Sequence, residues 1–321
     1  VERPPSLFLH PSLRRNNHAS QLRRDLGAAA RRVLVDGGFT CPNRDGTAGT
    51  VGCLFCVDDA FTPAALDGSL PVAEQVRRAL GARRDGPPVL VCFQRFTGTY
   101  GDPERVASLW REAYGAHPRV AGVVASTRPD CLPEETLAAL EEAAAGRYAC
   151  LEIGLQSVSD AVLAACGRGH SAADFARAAA AAKRRGFRVA AHLIHGLPGD
   201  DAAGFVAAAP WLSALAVDGV KIHHFHVVRG SGYEAPWREG RISVPSFGEH
   251  AEACVEFLLR LRPETAVLRL CGEAPERLLL APAWPEGGAR ELSAAVTERL
   301  ARLGRWQGDL WNGDGKGEGT A

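Results

Sequence analysis

Short apolar, β-branched runs alternate along this chain with longer stretches whose apolar residues recur every three or four positions. The first kind falls at 32–37, 89–93, 120–124, 149–155, 187–194 and 219–228, the second at 72–82, 104–116, 134–145, 172–185 and 202–215. Continuous apolar runs of that length predict buried strands, and the 3.6-residue recurrence predicts amphipathic helices. The Ala-rich stretch 172–185 is the strongest helix former, and Gly186 stops it. Six strand–helix units in series predict a parallel sheet with helices outside it, joined by right-handed crossovers. Periodicity alone is compatible with both an incomplete barrel and a doubly wound sheet.

Around this core (33–244) lie three further segments. Residues 1–32 form a basic N-terminal segment (Arg14, Arg15, Arg23, Arg24, Arg31 and Arg32) with one helical pattern over 20–30. Residues 245–311 form a C-terminal region with a helix at 247–260, a short strand at 266–270 and a helix at 290–303. The tail 312–321 is Gly-rich and polar and is expected to be disordered.

With 46% hydrophobic residues in 321, the chain can bury a sizeable core. No apolar run approaches the roughly 18 residues of a membrane helix, and the N-terminus shows no signal-peptide pattern, so a cytoplasmic protein without a membrane partner is expected. Lys plus Arg equals Asp plus Glu at 37 each, which gives no support to nucleic-acid binding beyond a local patch. Nine cysteines in such a chain are expected as thiols or metal ligands rather than as a disulfide frame.

The candidate chemistry sits directly after the first strand, in Gly38-Phe-Thr-Cys41-Pro-Asn and Gly52-Cys53-Leu-Phe-Cys56. In a βα fold that loop opens at the carboxyl end of the sheet. The Cys-x-x-Cys pair can clamp one metal or one cluster edge, and the glycines keep the loop from Cys41 to Cys53 pliable. An electron-carrying 4Fe-4S cluster takes four Cys ligands, whereas three leave one iron open to another molecule. Two alternatives stand beside this: a structural zinc site completed by a His or a fourth Cys, and unliganded cysteines.

The loop Gly37-Gly-Phe-Thr-Cys-Pro-Asn-Arg-Asp-Gly-Thr47 with Gly52-Cys-Leu-Phe-Cys56 closely resembles that of the YhcC-like radical S-adenosylmethionine (SAM) family, which is related to the radical SAM domain of the Elongator catalytic subunit. Phe93 to Tyr100, Ser126-Thr-Arg-Pro-Asp-Cys-Leu132, Leu151 to Ser157, Arg168-Gly-His170 and His192 to Pro198 follow in the family's order. Val220 to His223, Arg229 to Ser231, Arg269 to Pro275 and Ala281 to Trp284 extend the resemblance, which spans roughly 20–285. Asp200, Ser231 and Ser126 depart from the pattern. No acetyltransferase sequence follows, so the Elongator reaction itself is not carried over.

The resemblance implies a partial (β/α)6 TIM-like barrel of the radical SAM type with a small C-terminal α/β extension. It implies a 4Fe-4S cluster on Cys41, Cys53 and Cys56 and reductive cleavage of SAM to a 5'-deoxyadenosyl radical. The one-electron donor would be a flavodoxin or a ferredoxin, and RNA is one candidate substrate. Gln156 is expected at the SAM ribose and Arg168 at its carboxylate, since Arg can fork two donors onto a carboxylate. Glu152 shares a strand face with Gln156 and is expected at ribose or a cationic group, with a salt bridge to Arg128 as the alternative. Gly196, Leu197 and Pro198 are expected near adenine or as a plain βα turn. Thr127, Arg128 and Asp130 either hold substrate or brace the barrel mouth. His224 and His226 are expected to line the pocket with His223 turned away, and Cys131 is singled out as a thiol that could act on substrate. A non-catalytic zinc-stabilised module is the alternative from a different class.

Overall fold

The computed structural model describes residues 6–57, 66–284 and 288–313. Most of the 312–321 tail therefore lies outside the described residues.

Helix α1 (His18–Leu26) is followed by β1 (Arg31–Val35), α2 (Val72–Leu80), β2 (Val89–Phe93), α3 (Pro103–Gly115) and β3 (Val120–Thr127). After a 3-10 turn at Pro129–Cys131 come α4 (Glu134–Ala144), β4 (Tyr148–Gln156), α5 (Asp160–Ala165), α6 (Ala172–Arg184), β5 (Arg188–His195), α7 (Ala202–Ala214) and β6 (Gly219–His224). The C-terminal part contributes β7 (Val227–Val228), α8 (Glu234–Arg238), α9 (Phe247–Arg260), β8 (Ala266–Arg269), β9 (Leu279–Ala281) and α10 (Gly288–Arg302).

Seven strands make one curled, open half-barrel in the order β1-β2-β3-β4-β5-β6-β8, every neighbouring pair parallel. The barrel expectation holds, and the short strand assigned to the extension joins it: β8 pairs with β6 from Gly219↔Ala266 to Lys221↔Arg269. The expected strand 219–228 is in fact broken. Phe225 turns into a small core against Tyr233, and Val227–Val228 pairs instead with β9 in a separate antiparallel ribbon.

Local signals fix the helix starts. Asp102 caps α3 by accepting from Arg105 N, with Pro103 at the first helical position. Ser171 with Asp174 and Ser246 with Glu249 form capping boxes at α6 and α9. Alternate strand residues such as Val91, Phe93, Leu151 and Ile153 face the helices in the main core. There Trp110 of α3 is fully buried and meets Phe187 edge-on at 6.2 Å.

The opposite face of the strands lines the barrel. Its lower part is closed by α1, whose Leu22 packs with Leu90, Cys92, Val124, Cys150 and Ala190. Burying that leucine is worth about 2 kcal/mol. The basic N-terminal segment is thus partly internal. Arg15 is buried and donates to Thr297 and Ser293 of α10, and Arg32 points into the barrel. No helix among the described residues is long and apolar enough to cross a membrane.

Candidate active site

The barrel encloses a cavity of about 860 Å³ that opens toward the loops at the carboxyl ends of the strands. Cys41, Cys53 and Cys56 all line it, together with Gln156, Arg168, Glu152 and Arg128.

The cysteine loop is held by its own backbone. Arg44 N and Asp45 N donate to Cys41 O at 2.8 and 3.2 Å, Gly52 N to Asn43 O at 2.7 Å, and Cys56 N to Cys53 O at 2.9 Å. Gly52 sits at φ +84°, a conformation that L side chains rarely adopt, and a Cβ there would press on the Arg44 guanidinium at 3.1 Å. Two donors aim at one sulfur: Asn43 Nδ2 lies 3.4 Å and Arg168 Nη1 3.6 Å from Cys53 Sγ. N–H donors aimed at the sulfur suit a cysteine that ligates iron, since outer partners of this kind orient a ligand.

Arg168 and Gln156 converge from opposite ends of a short segment. Arg168 Nη2 donates to Gly154 O at 3.0 Å, and its Nε is buried with no hydrogen-bond partner. Gln156 closes β4 at φ +74°, where the pairing with β5 slips by one residue between Gly154 and Gln156. A non-glycine residue held in that region costs on the order of 1 kcal/mol and belongs to sites where the surroundings fix a side chain's aim. Arg128 forks onto Asp130 at 2.9 and 2.7 Å and also donates to Arg168 O at 2.8 Å. This braces the barrel mouth and leaves Nη1 buried without a partner. Two guanidinium groups with unused buried donors, beside three thiols, suit an anionic metal cluster and a ligand carboxylate.

Glu152 is fully buried and is not paired with Arg128 as the alternative had it. It accepts from Arg32 and Lys221 at 2.8 Å each and from His192 at 3.2 Å. Burial opposes its charge, but Lys221 and Arg32 outweigh burial and hold the carboxyl well below the usual carboxylate range. Lys221 and Arg32 were not foreseen as site residues. A lone lysine inside the apolar strand Gly219–His224 is the signal that could have found the first.

Gly196, Leu197 and Pro198 are not part of the cavity wall. Leu197 is buried, and a Cβ on Gly196 would stand 2.9 Å from Pro245. His223 is not turned away: it lines the cavity with His224 and His226, because the strand ends at His224 and the chain bends there. The His224 ring stacks on Trp284 at 3.7 Å. Cys131 is buried outside the cavity, and burial pushes its thiol up to about 12, the reverse of an activated nucleophile. Among the described residues, no three His, Cys, Asp or Glu side chains are arranged to hold a single metal ion.

The Radical SAM superfamily matches residues 43–212, and the Radical_SAM C-terminal domain matches 217–302. The protein YhcC of Escherichia coli is 33% identical over 287 residues, 88% of this chain and 92% of its own length. The chain belongs to the radical SAM superfamily. YtqA of Bacillus subtilis is 29% identical across 90% of both chains. Human Elongator complex protein 3 is 29% identical over 56% of this radical SAM chain, which spans only 32% of that protein. The archaeal Elp3 of Methanocaldococcus infernus superposes with a TM-score of 0.63 at 18% identity, over 87% of this chain and 64% of the other. The fold, with its half-barrel sheet, is the radical SAM fold, and the chain is a radical SAM enzyme, which sets the zinc-module alternative aside.

Proposed function

We propose that this enzyme cleaves SAM reductively and directs the radical so formed onto a substrate held in the barrel. The observation that carries the reading is the convergence of Cys41, Cys53 and Cys56 with Arg168 and Gln156 on one cavity. The three thiolates would hold a 4Fe-4S cluster, leaving one iron without a protein ligand. When bound, that cluster supplies one electron to SAM, whose cleavage yields the 5'-deoxyadenosyl radical that abstracts hydrogen.

The chain's own residues orient and exclude. Arg168 offers its unused Nε–H to the SAM carboxylate while Nη2 is tethered to Gly154 O, so its plane is set before the ligand arrives. Gln156 offers its amide to the ribose hydroxyls. Glu152 holds Arg32 and Lys221 in place below. Burial of the strand face by α1 keeps water from the lower end, where a radical would be quenched. A single-electron donor of the flavodoxin or ferredoxin class is the partner this chemistry needs. The N-terminal segment offers RNA fewer cations than its six arginines suggest, since Arg15 and Arg32 turn inward.

The test is anaerobic reconstitution, reduction with dithionite and chromatography for 5'-deoxyadenosine with SAM present. The wild-type chain should form it and the Cys53→Ala variant should not. A chain with a full cluster that releases none overturns the reading.

A further inference from the structure

The interior of a βα barrel is ordinarily filled by branched apolar side chains. Here a layer below Gln156 is charged instead. Arg32 of β1, Glu152 of β4, His192 of β5 and Lys221 and His223 of β6 all face the cavity, and His18 of α1 reaches it from beneath. Glu152 stands four residues before Gln156 on the same strand, about 13 Å along it, so this floor is a different level from the proposed SAM contacts.

The charges of the floor do not balance. One carboxylate, with no solvent exposure, is shared by Arg32 and by Lys221, whose side chain is 8% exposed. Its remaining bonds come from His192 and the Ser126 hydroxyl, and the other titratable groups of the floor carry no charge at neutral pH. His192 and His18 are lowered to about 4, chiefly by burial, and His223 well below its ordinary value for the same reason. The Cys92 thiol, which accepts from Arg32 Nε at 3.2 Å, is pushed up by burial and stays protonated. Arg269 and Glu273, one of each sign, also line the wall and leave the count unchanged. One positive charge is left over in a buried layer, and Lys221 titrates below an ordinary lysine because burial outweighs its carboxylate. His223 Nε2 is also buried there with no hydrogen-bond partner. A buried charge without a counterion is costly, and a ligand of opposite sign removes that cost.

We propose that the substrate of this cavity carries an acidic oxo group, a carboxylate or a phosphate monoester, that seats on Lys221, Arg32 and His223 at the barrel floor. The inference names the substrate class of the reaction proposed above and rests on that reading. Two cations and a ring nitrogen around one position suit a group with several acceptor oxygens. Seating it at the floor would place the rest of the molecule upward, toward Gln156 and the cysteine loop, where hydrogen abstraction is proposed.

The experiment titrates the anaerobically reconstituted full chain with inorganic phosphate and, separately, with acetate, at constant ionic strength and neutral pH, by calorimetry. At least one of the two anions should bind. Lys221→Met, which cancels the surplus charge, should weaken binding at least about tenfold, and Glu152→Gln, which adds to it, should tighten binding about tenfold. Lys221→Arg should restore it, and Arg177→Gln on the exposed face of α6 should leave it alone. Preference for phosphate assigns a phosphorylated substrate, and preference for acetate a carboxylated one. Should Lys221→Met fail to fold, the opposite sign expected of Glu152→Gln still decides. Neither anion binding, or binding that Glu152→Gln does not tighten, or equal weakening by Arg177→Gln, overturns the proposal. SAM cleavage is read separately, so 5'-deoxyadenosine formed by a chain that binds neither anion would refute this site and leave the proposed reaction standing.

Discussion

A methyl group added at position 154 would stand 2.4 Å from Arg168 Nη2 and 2.6 Å from Gln156 Nε2. Ordinary contact begins at 3.4 Å, so both side-chain ends must retreat by about 1 Å. Arg168 would lose the orientation that its bond to Gly154 O now gives, and with it the alignment of Nε toward the SAM carboxylate. One charge-assisted hydrogen bond is worth roughly 1.5–3 kcal/mol, which corresponds to a SAM dissociation constant about 10- to 150-fold weaker in Gly154→Ala. The atoms that must move are flexible side-chain ends, so the barrel should survive. A cost of about 1 kcal/mol would lower the thermal midpoint by roughly 2 °C in a chain of this size. The assay is equilibrium dialysis of SAM against the reconstituted protein, paired with a circular dichroism melt. A folded Gly154→Ala protein that binds SAM as tightly as wild type would refute the roles given to Arg168 and Gln156.

Two further outcomes follow from the same geometry. Asn43→Leu removes one of the two N–H donors on Cys53 Sγ, and the reduction potential of the cluster should fall. The drop is on the order of 40 mV if that bond changes by about 1 kcal/mol on reduction, and an unmoved potential in an electron paramagnetic resonance titration would remove Asn43 from the site. Acid should also destabilise the chain early, because burial lowers His170 and His195 to about 4, His250 to about 3 and His224 to about 2. These folded values lie below the unfolded value near 6.5, so the unfolded chain binds more protons and stability is lost as pH falls from there toward 4. The slope is about 1.4 kcal/mol per pH unit for each histidine. A urea midpoint at pH 5 equal to or above that at pH 7.5 would contradict this.

The strands were legible where the sequence is continuously apolar: Val89–Phe93 and the core of Tyr148–Gln156 needed no tertiary knowledge. That Cys41, Cys53 and Cys56 share one cavity wall was legible because they lie close together in the chain. What failed to show were relations between distant segments. The arginines of residues 1–32 read only as a basic segment beside the core, since nothing local reveals that Leu22 plugs the barrel or that Arg32 reaches Glu152 across 120 residues. The four-residue strand Ala266–Arg269 gave no hint that it pairs with β6, and the break after His224 depends on Phe225 finding Tyr233. Glu152 was correctly placed facing inward, but its partners follow from strand register, which only the folded sheet supplies.

The claim on which all of this depends is that three thiolates leave one iron open for SAM. Iron and sulfide should be counted on chain purified without oxygen, and the reduced protein examined by electron paramagnetic resonance with and without SAM. About four irons per chain are expected, with a signal that SAM reshapes and that Cys53→Ala abolishes. A chain that carries no iron or sulfide, or a full cluster whose signal ignores SAM, would contradict the account.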